Sequence, residues 1–148
     1  MNLAVNKWSR NTYAKHTMDF NAEKYNESNK LQIRDAKDLM TKIIAENGHK
    51  QYDIVLDIGC GSGNITKTLA DVLNAKQIYA IDVDKEMIAF AGKNHGKPNV
   101  QYLAQDFGLE WDLLSPTLRA LEGKVDLIFT NHCLHWIINK RNVVNNLY

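Results

Sequence analysis

The chain has 148 residues, 45% of them apolar, and 18 Lys and Arg nearly balance 17 Asp and Glu for a net charge of +1. That is about one ordinary domain with enough apolar content for a core, and it provides no strong basic field for nucleic acid. No apolar run is long enough for a bilayer-spanning helix, and Cys60 and Cys133 lack the CxxC or Cys/His spacing of a metal site, so a reduced, cytoplasmic setting without a structural metal is expected.

The first eighteen residues are polar and weakly patterned, with no continuous hydrophobic stretch to serve as a signal peptide. They read as a loosely held extension (1–18) ahead of one domain, 19–148. From Leu31 to Asn47 the apolar positions Leu31, Ala36, Leu39, Met40, Ile43 and Ile44 fall three and four apart. That spacing predicts an amphipathic helix, with Gly48 as its stop. Asp53–Ile58 reads as a buried strand, Asn64–Asn74 as a helix with Ile65, Leu69, Val72 and Leu73 on one face, and Gln77–Val83 as a second strand. Asp84 can cap the next helix, which turns Met87, Ile88 and Ala91 inward. Asn99–Asp106 is a third strand, and Leu109–Leu121 a weaker helix interrupted near Pro116. Val125–Asn131 is a fourth strand and Leu134–Tyr148 a last helix. Strands alternating with helices predict an α/β fold, a parallel sheet covered on both faces.

Between the first strand and its helix stand Gly59, Gly61 and Gly63, preceded by Asp57. Glycine admits positive φ and lets a ligand approach the main chain. The helix start behind the loop adds free N–H groups and positive potential. A dinucleotide site is one candidate, but its fingerprint is GxGxxG, and the spacing here is GxGxG. A tight turn with no ligand is the bland alternative. Against it, Asp82 ends the second strand where a carboxylate can accept from ribose hydroxyls, and Asp106 ends the third. Strand ends of a parallel sheet share one edge, so Asp57, Asp82 and Asp106 are expected to converge there.

With these residues in place, "VLDIGCGSG", "AIDVD" and "LAQDF" resemble the first motif, acidic second-strand end and adenine-contacting segment of the class I S-adenosylmethionine-dependent methyltransferases. "AEKYNESNKLQIRDA" (22–36) and "LHWI" (134–137) are similar to the juvenile hormone acid methyltransferases, which methylate a terpenoid carboxylate. The resemblance implies a Rossmann-like sheet of order 3-2-1-4 and S-adenosylmethionine as cofactor. It implies that Gly59 and Gly61 pack against the methionine part, Asp57 orients the amino group, Asp82 takes the ribose, and Asp106 with Phe107 takes the adenine. Tyr25, Cys60, Gly63, Val83 and Asn131 complete the implied cofactor set. Gln32 and Trp136 would meet the acceptor carboxylate, against readings as a solvated helix residue and a core anchor. Tyr25 and Gln32 lie seven apart and can share a helix face. His132 and His135 are candidate bases, or pocket lining.

Class I domains ordinarily have seven strands and this chain reaches four, so the sheet is expected to be incomplete on its C-terminal side, with much of the acceptor half absent. An exposed fourth strand would be a template for self-association there or through the C-terminal helix. Three readings stand side by side: a methyltransferase, or its cofactor-binding portion, acting on a small lipophilic acid; a non-catalytic S-adenosylmethionine-binding or interaction protein; and a nicotinamide dinucleotide enzyme, which the loop spacing disfavours.

Overall fold

The computed structural model describes residues 22–148, with side chains from Lys30 onward. The expected extension 1–18 lies outside the described residues. Five helices and four strands follow in the order α1 (Ala22–Asn47), β1 (Gln51–Ile58), α2 (Asn64–Val72), β2 (Asn74–Asp82), α3 (Lys85–His95), β3 (Val100–Ala104), α4 (Pro116–Arg119), β4 (Leu127–Thr130) and α5 (Lys140–Leu147). The strands form one parallel sheet in the order β3-β2-β1-β4. This is the α/β architecture and strand order expected.

The apolar run of β1 explains its central place. Neighbouring side chains on a strand point to opposite faces, and both faces of β1 are covered. Val55 joins Ala36 and Met40 of α1, Leu69 of α2, Ile78 and Phe129 in one cluster. Leu56 and Ile58 join Ile81, Phe107, Leu114, Leu118, Leu121 and Val143 in another. Each fully buried Leu or Ile contributes roughly 1.5–3 kcal/mol by leaving water, so the two clusters hold α1 and α2 on one face, and α4 and α5 on the other.

Several boundaries differ from the sequence reading. Helix α1 begins at Ala22, not Leu31. The upstream residues carry no apolar period, yet Ala, Glu and Lys favour helix. Gly48 ends the helix at φ +63°, its N–H donating to the Ile44 carbonyl. Strand β2 begins at Asn74 because α2 stops at Val72 and buried Leu73 turns extended, at ψ 136°. Strand β3 stops at Ala104. Gln105 makes one more main-chain bond, to the Asp82 carbonyl, and the chain then turns as Asp106 Oδ1 accepts the Gly108 N–H at 2.8 Å. Pro116 starts α4 instead of interrupting a helix. It occupies the first turn, where a missing N–H costs nothing, behind a Ser115 cap and a 3-10 turn at Trp111–Leu113. The last expected helix likewise divides into a 3-10 turn, Leu134–Trp136, and α5, capped by Asn139. Asp84 caps α3 as expected, accepting the Glu86 and Met87 N–H groups.

Candidate cofactor site

The C-terminal ends of β1 and β2 and the loops after β3 and β4 surround a cavity of about 530 Å³. The parallel arrangement puts these ends along one edge, where ligands of such sheets bind. Of the residues singled out in the sequence, Gly59, Asp82, Val83, Asp106, Phe107, His132 and Trp136 line it. Asp57, Cys60, Gly61, Gly63, Gln32 and His135 are not among its lining residues. Asn131 faces a second cavity, about 460 Å³, between α1 and the end of β4. Its amide donates to the Gln32 carbonyl at 3.0 Å. Tyr25 lies on α1, and its side chain is outside the described residues.

The glycine loop is held to β2. The N–H groups of Gly59 and Cys60 donate to the Ile81 carbonyl at 2.8 and 3.0 Å. Gly59 has φ +80°, and a Cβ there would lie 2.2 Å from Cys133 Sγ. A Cβ on Gly63 would lie 2.7 Å from that of Ala91. These two glycines are therefore needed for close packing. Gly61, at φ +51°, would place a Cβ in open space, and its N–H donates to Asp82 Oδ2 at 2.9 Å. Asp82 Oδ1 accepts the Asp84 N–H, also at 2.9 Å. Two main-chain donors thus aim the Asp82 carboxylate, and each oxygen keeps a second lone pair for a ligand hydroxyl.

Asp57 sits behind the loop, fully buried, with the Thr66 hydroxyl donating to Oδ2 at 2.6 Å. Burial pushes its carboxyl up to about 7, the Thr66 bond opposes this, and the Asp82 charge adds to it. In the unfolded chain the group titrates near 3.8. A raised folded value means stability is fully present at acid pH and is lost as pH rises from 3.8 to about 7. Urea midpoints of the parent chain should fall across that window and level off above it. Asp57→Asn keeps an oxygen for Thr66 and should flatten this step; an unchanged slope would show that Asp57 does not set it. Burial also pushes the Cys60 thiol far up and that of Cys133 to about 11. Neither offers a thiolate nucleophile at neutral pH.

The far wall of the cavity is fixed from α5. Asn146 Nδ2 donates to the Phe107 and Leu109 carbonyls at 3.0 and 2.9 Å, and Asn142 Nδ2 to the Gly108 carbonyl at 2.9 Å. Gln105 spans the same loop, accepting the Ser115 N–H at 2.9 Å. On the β4 side, His132 Nε2 lies 2.9 Å from Asp35 Oδ2. The bond from His132, and then that from Arg34, holds the Asp35 carboxyl below its usual range. His135 packs its ring on Trp136, centroids 5.0 Å apart.

Gln105, Ile137, Ile138 and Asn139 line the cavity and were not singled out in the sequence. The apolar pair Ile137–Ile138 directly after "LHW" was an available signal. Gln105 stands within the quoted "LAQDF", but its bond to Ser115 is set by the fold. Among the described residues no cluster suited to a metal ion and no helix long and apolar enough to cross a membrane occurs.

The donor set fits a nucleoside-bearing cofactor: a carboxylate aimed by main chain at Asp82, bare backbone at Gly59, and an apolar wall with an adjacent carboxylate at Phe107 and Asp106. Residues 55–148 match the family described as "Methyltransferase domain". The juvenile hormone acid O-methyltransferase of Bombyx mori is 30% identical over 131 residues, 86% of this chain and 45% of the relative. A malonyl-[acyl-carrier protein] O-methyltransferase of Acetivibrio thermocellus is 29% identical over 86% of this chain and 41% of its own length. The chain therefore spans less than half the length of these curated relatives. Among solved structures, the plantazolicin methyltransferase BpumL in complex with SAH superposes with a TM-score of 0.63 at 20% identity, covering 89% of this chain and 49% of that one. A SAM-dependent methyltransferase from Aquifex aeolicus gives 0.54 at 25% identity, covering 78% and 64%. The chain belongs to the methyltransferase domain family, and its fold is that of the S-adenosylmethionine-dependent methyltransferases.

Proposed function

We propose that the chain holds S-adenosylmethionine in the 530 Å³ cavity and presents it to the carboxylate of a small lipophilic acid. The observation that carries the cofactor half is Asp82, pinned by the Gly61 and Asp84 N–H groups at the cavity edge. When bound, the cofactor supplies a methyl group made electrophilic by its sulfonium. Asp82, Gly59 and Asp106 would hold the cofactor, and on transfer to the acceptor oxygen the carbon–sulfur bonding pair would stay with sulfur. A carboxylate, ionised above a pKa of roughly 4, enters this step with no proton to lose. The protein need only orient it and keep water out. The exposed faces of Trp136 and Ile138 on the cavity rim support a lipophilic acceptor, as does the juvenile hormone acid in one relative's name. In this reading Trp136 packs the acceptor, while Gln32 lies on α1 outside both cavities, its carbonyl accepting from the Asn131 amide.

Calorimetric titration tests the cofactor half. S-adenosylmethionine and S-adenosylhomocysteine are expected to bind and NAD not to; binding of NAD alone would overturn it. A second reading is an S-adenosylmethionine-binding or interaction protein without turnover. Transfer of labelled methyl to dodecanoate by the chain alone would exclude that reading. Among the described residues strand β4 pairs only with β1, and Ile128 on it is exposed, which supports association of two copies along this edge. Sedimentation equilibrium giving 16.9 kDa at every concentration would overturn that association.

A further inference from the structure

Gln32 lines neither cavity, whereas His132 lines both. His132 is also the only non-glycine among the described residues with positive φ, 53°. Strained backbone of this kind persists where the surroundings hold it, and it clusters at functional positions. Its side chain meets Asp35, across 97 residues of sequence, at 2.9 Å. A carboxylate can only accept, so Nε2 carries a proton and the ring's orientation is fixed. Among the residues lining the first cavity, His132 alone can carry positive charge; the other ionisable carboxyls there are Asp82 and Asp106. An anionic acceptor entering beside two carboxylates needs a cationic or donor group to receive it.

We propose that His132, aimed by Asp35, is the group that binds the acceptor's carboxylate and so selects acids over neutral lipophiles. The ring donates to Asp35 through Nε2 and, when doubly protonated, to the acceptor through Nδ1. The acceptor's apolar body lies against Trp136 and Ile138, which are 71% and 84% exposed on the same rim. His132 takes no proton from the acceptor, and Asp35 is a positioning residue. This assignment rests on the methyltransferase reading and gives its acceptor site a chain-specific anchor.

The test is calorimetric titration of dodecanoate and of dodecanol into the full chain saturated with S-adenosylhomocysteine. The parent chain should bind the acid at least 10-fold more tightly than the alcohol. His132→Asn, chosen because Asn tolerates left-handed φ, should erase that preference while S-adenosylhomocysteine binds within about twofold of the parent. Asp35→Asn should lower the preference and reduce the change in His132 ring NMR shifts on adding dodecanoate, an effect that mere docking of α1 would not produce. Retained preference for the acid in His132→Asn overturns the proposal, as does a parent chain that binds S-adenosylhomocysteine but shows no preference. Failure of the parent to bind S-adenosylhomocysteine at all overturns the cofactor reading instead.

Discussion

Asp82→Ala is expected to weaken S-adenosylhomocysteine binding by about 100-fold or more. Two ribose hydroxyls bonded to a carboxylate contribute roughly 1.5–3 kcal/mol each, and the half-exposed position favours the lower end. The substitution also releases the Gly61 and Asp84 N–H groups that now converge on the two oxygens. Loop and ligand therefore lose their common anchor together. Asp82→Asn keeps the shape, but its amide nitrogen must face one of those two N–H donors, so it too should lose more than about 10-fold. Titration calorimetry, with circular dichroism as the check on folding, reads both variants. A folded Asp82→Ala with affinity within threefold of the parent would remove Asp82 from the site.

Gly59→Ala is expected to destabilise the fold itself, independent of any ligand. At φ +80° an L side chain costs roughly 1–2 kcal/mol. Its Cβ would also fall 2.2 Å from Cys133 Sγ and 2.3 Å from Cys133 Cβ, and such overpacking costs roughly 1–3 kcal/mol. The sum, about 3 kcal/mol, should appear as a lower urea midpoint with little change in slope. Because the clash includes Cβ, a second substitution Cys133→Gly should recover the steric share, whereas Cys133→Ala should recover little. Gly61→Ala is the matched control: it meets nothing within 4 Å and bears only the conformational cost. Equal stability of Gly59→Ala and Gly61→Ala would show that the loop does not pack on Cys133 as described.

What the sequence revealed follows from what each residue's role depends on. Strand β1 was legible because burial on both faces leaves a continuous apolar run, Ile54 to Ile58 broken only by Asp57. The Asp84 cap was legible because its bonds reach only two and three residues ahead. Asp82 and Asp106 could be placed at the sheet edge by topology alone, although the chain leaves β3 two residues before Asp106. The end of β3 was hidden, since it depends on where Gln105 finds Ser115 and Asp106 finds Gly108. The Asp35–His132 pair was equally hidden, because no local pattern joins residues 97 apart. Conversely, the glycine spacing was visible, but not that Gly59 yields its space to Cys133 while Gly61 opens outward.

The amides of Asn142 and Asn146 grip carbonyl oxygens of residues 107–109, not their side chains. Every amino acid carries that carbonyl, so these three bonds do not depend on which side chains occupy positions 107 and 109, while the buried Phe107 ring ties the loop to the core as well. Position 108 is constrained too, since a Cβ there would press within 2.7 Å of Ile137 Cγ2. The wall therefore has two independent fastenings, main chain to α5 and the Phe107 ring to the core, so a change at Phe107 is felt in packing while the α5 bonds still set the path of the loop.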